Sequence, residues 1–191
     1  MKKLISAALL AVSASFAHAE AISSVYSDFD MTKCKTISVS EEDGGGSWLC
    51  KGIKGFDVVY SEGDLRGTMG FGPFAENQCS SAQSFGKFNS PGAKIEWRMK
   101  NGKPYATILR WFTDNGEPNG KQNWLVVTKL NDDDACRTAF IDTKFPGANK
   151  VAQQKADTAK NFNCAKDLPE VISAVIRMKA DEFASGSPCV E

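Results

Sequence analysis

Residues 93–113 read AKIEWRMKNGKPYATILRWFT, and this stretch decides the fold. Ala93, Ile95, Trp97 and Met99 alternate with Lys94, Glu96, Arg98 and Lys100, the period of two expected of a half-buried strand. Asn101-Gly102 follows, a pair that tolerates the positive φ a two-residue hairpin turn demands. The return arm, 105–112, is apolar on both faces, as a strand inside a sheet is. Such a turn pairs Lys100 with Lys103. It then sets Ile95 against Ile108, Trp97 against Ala106 and Ala93 against Arg110, with Phe112 continuing the packed face and Trp111 on the other.

Outward from this hairpin the chain keeps the same rhythm. Strands are predicted over 34–39, 47–51, 56–61 and 65–71, with turns at Glu41-Glu42-Asp43, Gly44-Gly45-Gly46 and Glu62-Gly63-Asp64. Residues 72–91 carry turn chemistry and read as a long loop, stapled at Cys79. Strands resume over 122–130 and 135–142. Ala148, Val151, Ala152, Ala156, Ala159 and Phe162 then recur at helical spacing. Residues 167–179 suit a helix capped by Asp167, although Val171-Ile172 and Val175-Ile176 also suit a strand. Residues 20–32 read as a polar lead-in anchored by Tyr26 and Phe29. The fold class is α+β and mostly β: an antiparallel meander, as a sandwich or partly closed barrel, with one or two C-terminal helices.

The first nineteen residues have the form of a cleaved signal peptide. Lys2-Lys3 is followed by an apolar run and by Ala17-His18-Ala19, an A-x-A cleavage site. Glu20 follows where a lipid anchor would need Cys, and no later run is long enough for a membrane helix. The expected product is one domain over 20–191, exported to the periplasm or the medium, with no stable membrane anchor. Without Lys2 and Lys3 the 23 positive charges fall to 21 against 23 negative, which gives nucleic acid no basic footprint.

The chain has 1 histidine, His18, inside this leader. Its loss removes Ser-His-Asp and Cys-His nucleophilic systems and histidine-ligated metals. The 6 cysteines contain no CxxC pair and read as three disulfides in an exported chain. Cys34 and Cys50 flank a hairpin and are expected to pair. Cys136–Cys164 and Cys79–Cys189 complete the scheme. No metal or cofactor is expected.

Arg110 and Trp111 are candidates to line a groove for an anionic or carbohydrate-like ligand, with Arg66 as a third candidate. The structural alternative is an ion pair beside a core tryptophan. Glu62 and Asp64 offer two carboxylates for glycoside hydrolysis, or simply turn residues beside Arg66. Asp132-Asp133-Asp134 lacks the Gly and Glu of an EF-hand loop, and Gly44-Gly45-Gly46 lacks the G-K-[ST] of a phosphate loop.

The order SEGDLRGTMGFG, KIEWRMKNGKPYATILRW, NWLVVTKL and ACRTAFID resembles a group of small exported bacterial proteins that carry no assigned activity. The resemblance spans most of the chain after the leader and implies a single exported domain. Together these features favour a non-enzymatic domain of the cell envelope that binds a protein or glycan partner. The alternatives are an inhibitor of an envelope-directed enzyme such as lysozyme, and a glycan hydrolase working with carboxylates alone.

Overall fold

The computed structural model describes residues 21–41, 44–53, 55–114, 118, 120–131, 135–174, 184–185 and 189. The leader, Asp132-Asp133-Asp134, the Glu42-Asp43 turn and the 175–179 part of the expected second helix lie outside the described residues.

Strands β1 (Ile22–Asp28), β2 (Lys35–Val39), β3 (Gly46–Ile53), β4 (Phe56–Gly63) and β5 (Arg66–Phe71) come first. A one-turn helix α1 (Cys79–Ala82) precedes β6 (Ser84–Phe85), β7 (Phe88–Lys100), β8 (Lys103–Asp114), β9 (Gln122–Leu130) and β10 (Ala135–Asp142). Helix α2 (Ala148–Thr158), β11 (Glu170–Ile172) and β12 (Ala184–Ser185) complete the order. One sheet runs β1-β7-β8-β9-β10-β11 and a second runs β2-β3-β4-β5, with β12-β6 as a separate pair. The two large sheets face each other as a sandwich. Val58, Tyr60, Met69 and Phe71 of the smaller sheet pack with Ile95, Trp97, Leu109, Trp111, Trp124 and Phe140 of the larger. The larger sheet's other face receives α2 through Ala148, Ala152 and Ala156. Alanine keeps that stripe thin enough for the helix to lie close over Ala106, Val127 and Ala139.

The central hairpin forms, with Asn101 at φ 51° and Gly102 at φ 77° and Lys100 paired with Lys103. Its register differs from the expected one. Met99 pairs with Pro104, but Arg98 pairs with Ala106, so Tyr105 is an extra residue in the return strand. Pro104 has no N–H for the ladder, and a bulge beside it absorbs that defect. One inserted residue exchanges the two faces of everything beyond it. Trp97 therefore meets Thr107 and Ile95 meets Leu109. Ala106 and Ile108 turn to the helix side instead of joining Ile95 and Trp97.

Three further segments differ from expectation. The polar lead-in is an edge strand, β1, which pairs with β7 from Ile22↔Lys100 to Asp28↔Lys94. Phe29 is buried against Tyr60, whereas Tyr26 is exposed. The long loop 72–91 holds α1, β6 and the start of β7. Within 167–174 the chain forms not a helix but β11, parallel to β10. Val171 reaches the inter-sheet core and Ile172 the helix side, the alternation that a strand provides.

Disulfides join Cys34 to Cys50, Cys79 to Cys189 and Cys136 to Cys164. No helix among the described residues is long and apolar enough to cross a membrane.

Candidate functional site

Helix α2 is too short to cover the sheet beneath it. Its 11 residues span about 16 Å at 1.5 Å per residue. The 12 residues of β8 span about 40 Å at 3.3 Å per residue. The helix covers the rows containing Ala106 and Ile108 and leaves the C-terminal end of β8 open. Two cross-strand rows lie at this end, the outer one open and the inner one half-covered, with Leu125 buried on the helix side and Arg110 only half-buried. One runs Ser90–Phe112–Asn123, and the next pairs Arg110 with Leu125. Phe88 pairs with Asp114 at the outermost position.

This open end carries two adjoining clefts. A groove of about 600 Å³ is lined by Tyr60, Glu62, Leu65, Phe88, Phe112 and Asp114, with Lys121 and Asn123 alongside. A smaller cleft of about 300 Å³ is lined by Tyr26, Lys94, Glu96, Ile108, Arg110 and Leu125. Phe112 borders both, so they form one path across the sheet end. Phe88 and Phe112 remain 39% and 41% exposed.

The far wall of the groove is the β4–β5 turn. Asp64 and Leu65 adopt φ 49° and φ 58°. Asp tolerates the left-handed region because its short side chain bonds locally, whereas Leu gains nothing there. The turn is held from both sides: Leu65 donates its N–H to Glu62 Oε1 at 2.8 Å, and its carbonyl accepts from the N–H of Asn89 at 2.9 Å. Buried Asn89 also accepts from the N–H of Gly67 at 3.0 Å. Strain at Leu65 is thus maintained by surrounding bonds, and it holds an apolar side chain 62% exposed at the groove's lip.

The candidate residues separate in space. Arg66 forms an ion pair with Asp64, and its guanidinium lies 5.1 Å from the Phe88 ring centroid, at the edge of the groove. Arg110 lies in the smaller cleft, two positions from Phe112 on the same face of β8. The position opposite it is not Ala93, because the β7–β8 register slips between Pro91 and Ile95. Gly92 comes next to it instead, where an added Cβ would stand 3.2 Å from the Cβ of Arg110. Trp111 lines neither cleft. It is buried in the inter-sheet core between Phe85 and the guanidinium of Arg137.

Glu62 and Asp64 are both engaged within the β4–β5 turn. Glu62 Oε1 holds the turn and Asp64 holds Arg66. Under α2 lies a denser polar cluster. Arg98 grips Asp157 through three hydrogen bonds of 2.7–2.9 Å, and Tyr105 donates its hydroxyl to the same carboxylate at 2.6 Å. Arg98 also donates to Ser24 at 2.6 Å, and Ser24 and Gln153 both donate to Glu96. Burial, then the Asp157 hydrogen bond, pushes the Tyr105 phenol up to about 12. Every charge here is answered, so the cluster clamps α2 to the sheet. Among the described residues no group of His, Cys, Asp and Glu is arranged to hold a metal ion.

Sequence reasoning missed Leu65, Phe88, Phe112, Asp114, Lys121 and Asn123. Phe112 reads from the sequence as a packing residue and Phe88 gives no signal within 72–91, and only the end of α2 leaves them open. In comparison with known proteins, no family model, curated protein or solved structure matches the chain.

Proposed function

We propose that the chain is an exported, non-enzymatic binding domain of the cell envelope that takes a glycan across the open end of its six-stranded sheet. The observation that carries this reading is the uncovered aromatic path from Leu65 over Phe88 and Phe112. Its concavity favours a chain-like ligand over the flat face of a protein, and its volume falls within the range of ligand sites. The two phenylalanine rings offer faces for the apolar sides of sugar rings. Ser90, Asp114, Lys121 and Asn123 offer hydroxyl, carboxylate, ammonium and amide groups beside them for sugar hydroxyls. Three disulfides fit an oxidising compartment outside the cytosol.

The test is calorimetric titration with chitotetraose together with co-sedimentation on insoluble peptidoglycan. Saturable binding that Phe112→Ala abolishes is expected. Neither heat nor co-sedimentation at millimolar sugar overturns the reading.

One observation favours a second reading. The strained turn projects Leu65 from the end of the sandwich, a shape suited to entering the cleft of an envelope-directed enzyme such as lysozyme. Loss of lysozyme activity at stoichiometric protein, relieved by Leu65→Asp, is its expected outcome. Full activity at excess protein removes it.

A further inference from the structure

Within this glycan reading, on which the inference rests, we infer that the Arg110 end of the path recognises a carboxylate carried by the sugar chain. Three charged residues line the smaller cleft: Lys94, Glu96 and Arg110. Lys94 is bonded to Asp28 at 2.8 Å. Glu96 accepts from Ser24 at 2.5 Å and from Gln153 at 2.8 Å. The Arg110 side chain has no hydrogen-bond or ion-pair partner among the described residues.

The setting gives that charge a purpose. Arg110 is half-buried, its stem lies over Gly92, and Leu125 pairs with it across the sheet. Ile108 and Leu125 supply an apolar floor, and Tyr26 supplies an exposed ring. Guanidinium geometry matches a carboxylate through two parallel N–H donors. Arg110 lies two residues from Phe112, about 7 Å along the strand. A sugar stacked on Phe112 therefore places its neighbour's acidic substituent at Arg110. The ligand class is an acidic oligosaccharide whose carboxylate sits either on a lactyl ether, as in a wall glycan freed of its stem peptides, or on the ring itself, as in a uronate.

The test titrates three probes into the disulfide-bonded protein and its variants: N-acetylglucosaminyl-N-acetylmuramic acid, tetragalacturonic acid and neutral chitotetraose. At least one acidic probe is expected to bind tenfold or more tightly than the neutral one, and whichever it is identifies the source of the carboxylate. Arg110→Gln should remove that advantage and leave chitotetraose within about twofold, while Arg110→Lys, which keeps charge but not the fork, should retain part of it. Thermal melts of both variants should match the parent, because the Arg110 side chain holds no polar partner among the described residues. Equal binding of acidic and neutral probes, or an equal loss for all probes in Arg110→Gln, overturns the inference while leaving the glycan site standing. No binding by any probe overturns the glycan reading and this inference with it.

Discussion

Trp111 and Phe112 are neighbours in β8 and face opposite sides of the sheet, the first 2% exposed and the second 41%. Their substitutions should therefore separate folding from binding. Trp111→Ala removes a ring packed on Phe85 and Arg137 and should cost about 3–5 kcal/mol, the range for large-to-small changes in a core. Phe112→Ala should cost under about 1 kcal/mol, as surface changes do, yet abolish sugar binding. Urea denaturation and calorimetry on the same two variants check both halves. Equal stability losses would place Phe112 in the core and remove it from the site.

Arg137 poses the opposite problem, a charge inside the core. Its guanidinium sits 5.1 Å from the Phe85 ring centroid and 5.0 Å from that of Trp111. Neither Nη1 nor Nη2 has a hydrogen-bond partner among the described residues. Burial alone pushes it down to about 9, which leaves it charged at neutral pH. Two ring faces contribute on the order of 2 kcal/mol each when desolvated, against several kcal/mol for burying the ion. Arg137→Met should accordingly raise stability by about 1–3 kcal/mol. Arg137→Lys, which loses the planar stack, should lower it. A shift of the urea midpoint downward in the Met variant would show that the rings outweigh desolvation.

The hairpin was legible from alternation and Asn101-Gly102, but its register was not. The return arm is apolar on both faces, so 105–112 gives no parity from which a one-residue slip could be read. That slip is what sent Trp111 inward and left Arg110 beside Phe112 on the helix side. Strand β1 was hidden because an edge strand of serines with Val25 and Tyr26 exposed lacks a buried stripe. Three residues of β11 are too few to show any period. The site was least legible of all. Exposure of Phe88 and Phe112 depends on where α2 ends over the sheet, a tertiary fact with no local signature.

Tyr60 and Tyr105 predict an alkaline limit. Burial, then the charge of Glu62, pushes Tyr60 up to about 12. Burial, then the hydrogen bond to Asp157, does the same for Tyr105. Both folded values lie above the ordinary 10.0, so folding favours the neutral phenol. That contribution is present in full below pH 10.0 and is lost as pH rises through about 12. Tyrosinate absorbance should show two late-titrating phenols, and the urea midpoint should fall across the same interval. Tyr105→Phe should remove one late step. A midpoint flat across this interval would contradict the assignment.

The disulfides should differ in worth by the loops they close. Cys34–Cys50 spans a separation of 16 residues and Cys79–Cys189 a separation of 110. Chain entropy gives about 3 kcal/mol for the first and about 4.7 kcal/mol for the second. Paired Cys→Ser variants compared by urea denaturation should follow that order. The reverse order would mean that unfolded-state loop entropy is not what sets their contributions.

Leu65 ties stability to binding in one residue. At φ 58° it occupies a backbone region that costs an L-residue about 1–2 kcal/mol. Leu65→Gly relieves that strain, and Leu65→Asn relieves part of it while keeping the turn. Both variants should be more stable than the parent by up to about 1 kcal/mol. Both also remove the apolar lip opposite Phe88 and Phe112, so both should bind sugar several-fold more weakly. A gain in stability without loss of binding would mean that the strain serves nothing at the groove. A loss of both would mean that Leu65 packs against the sandwich in solution and that its exposed position is not the working one.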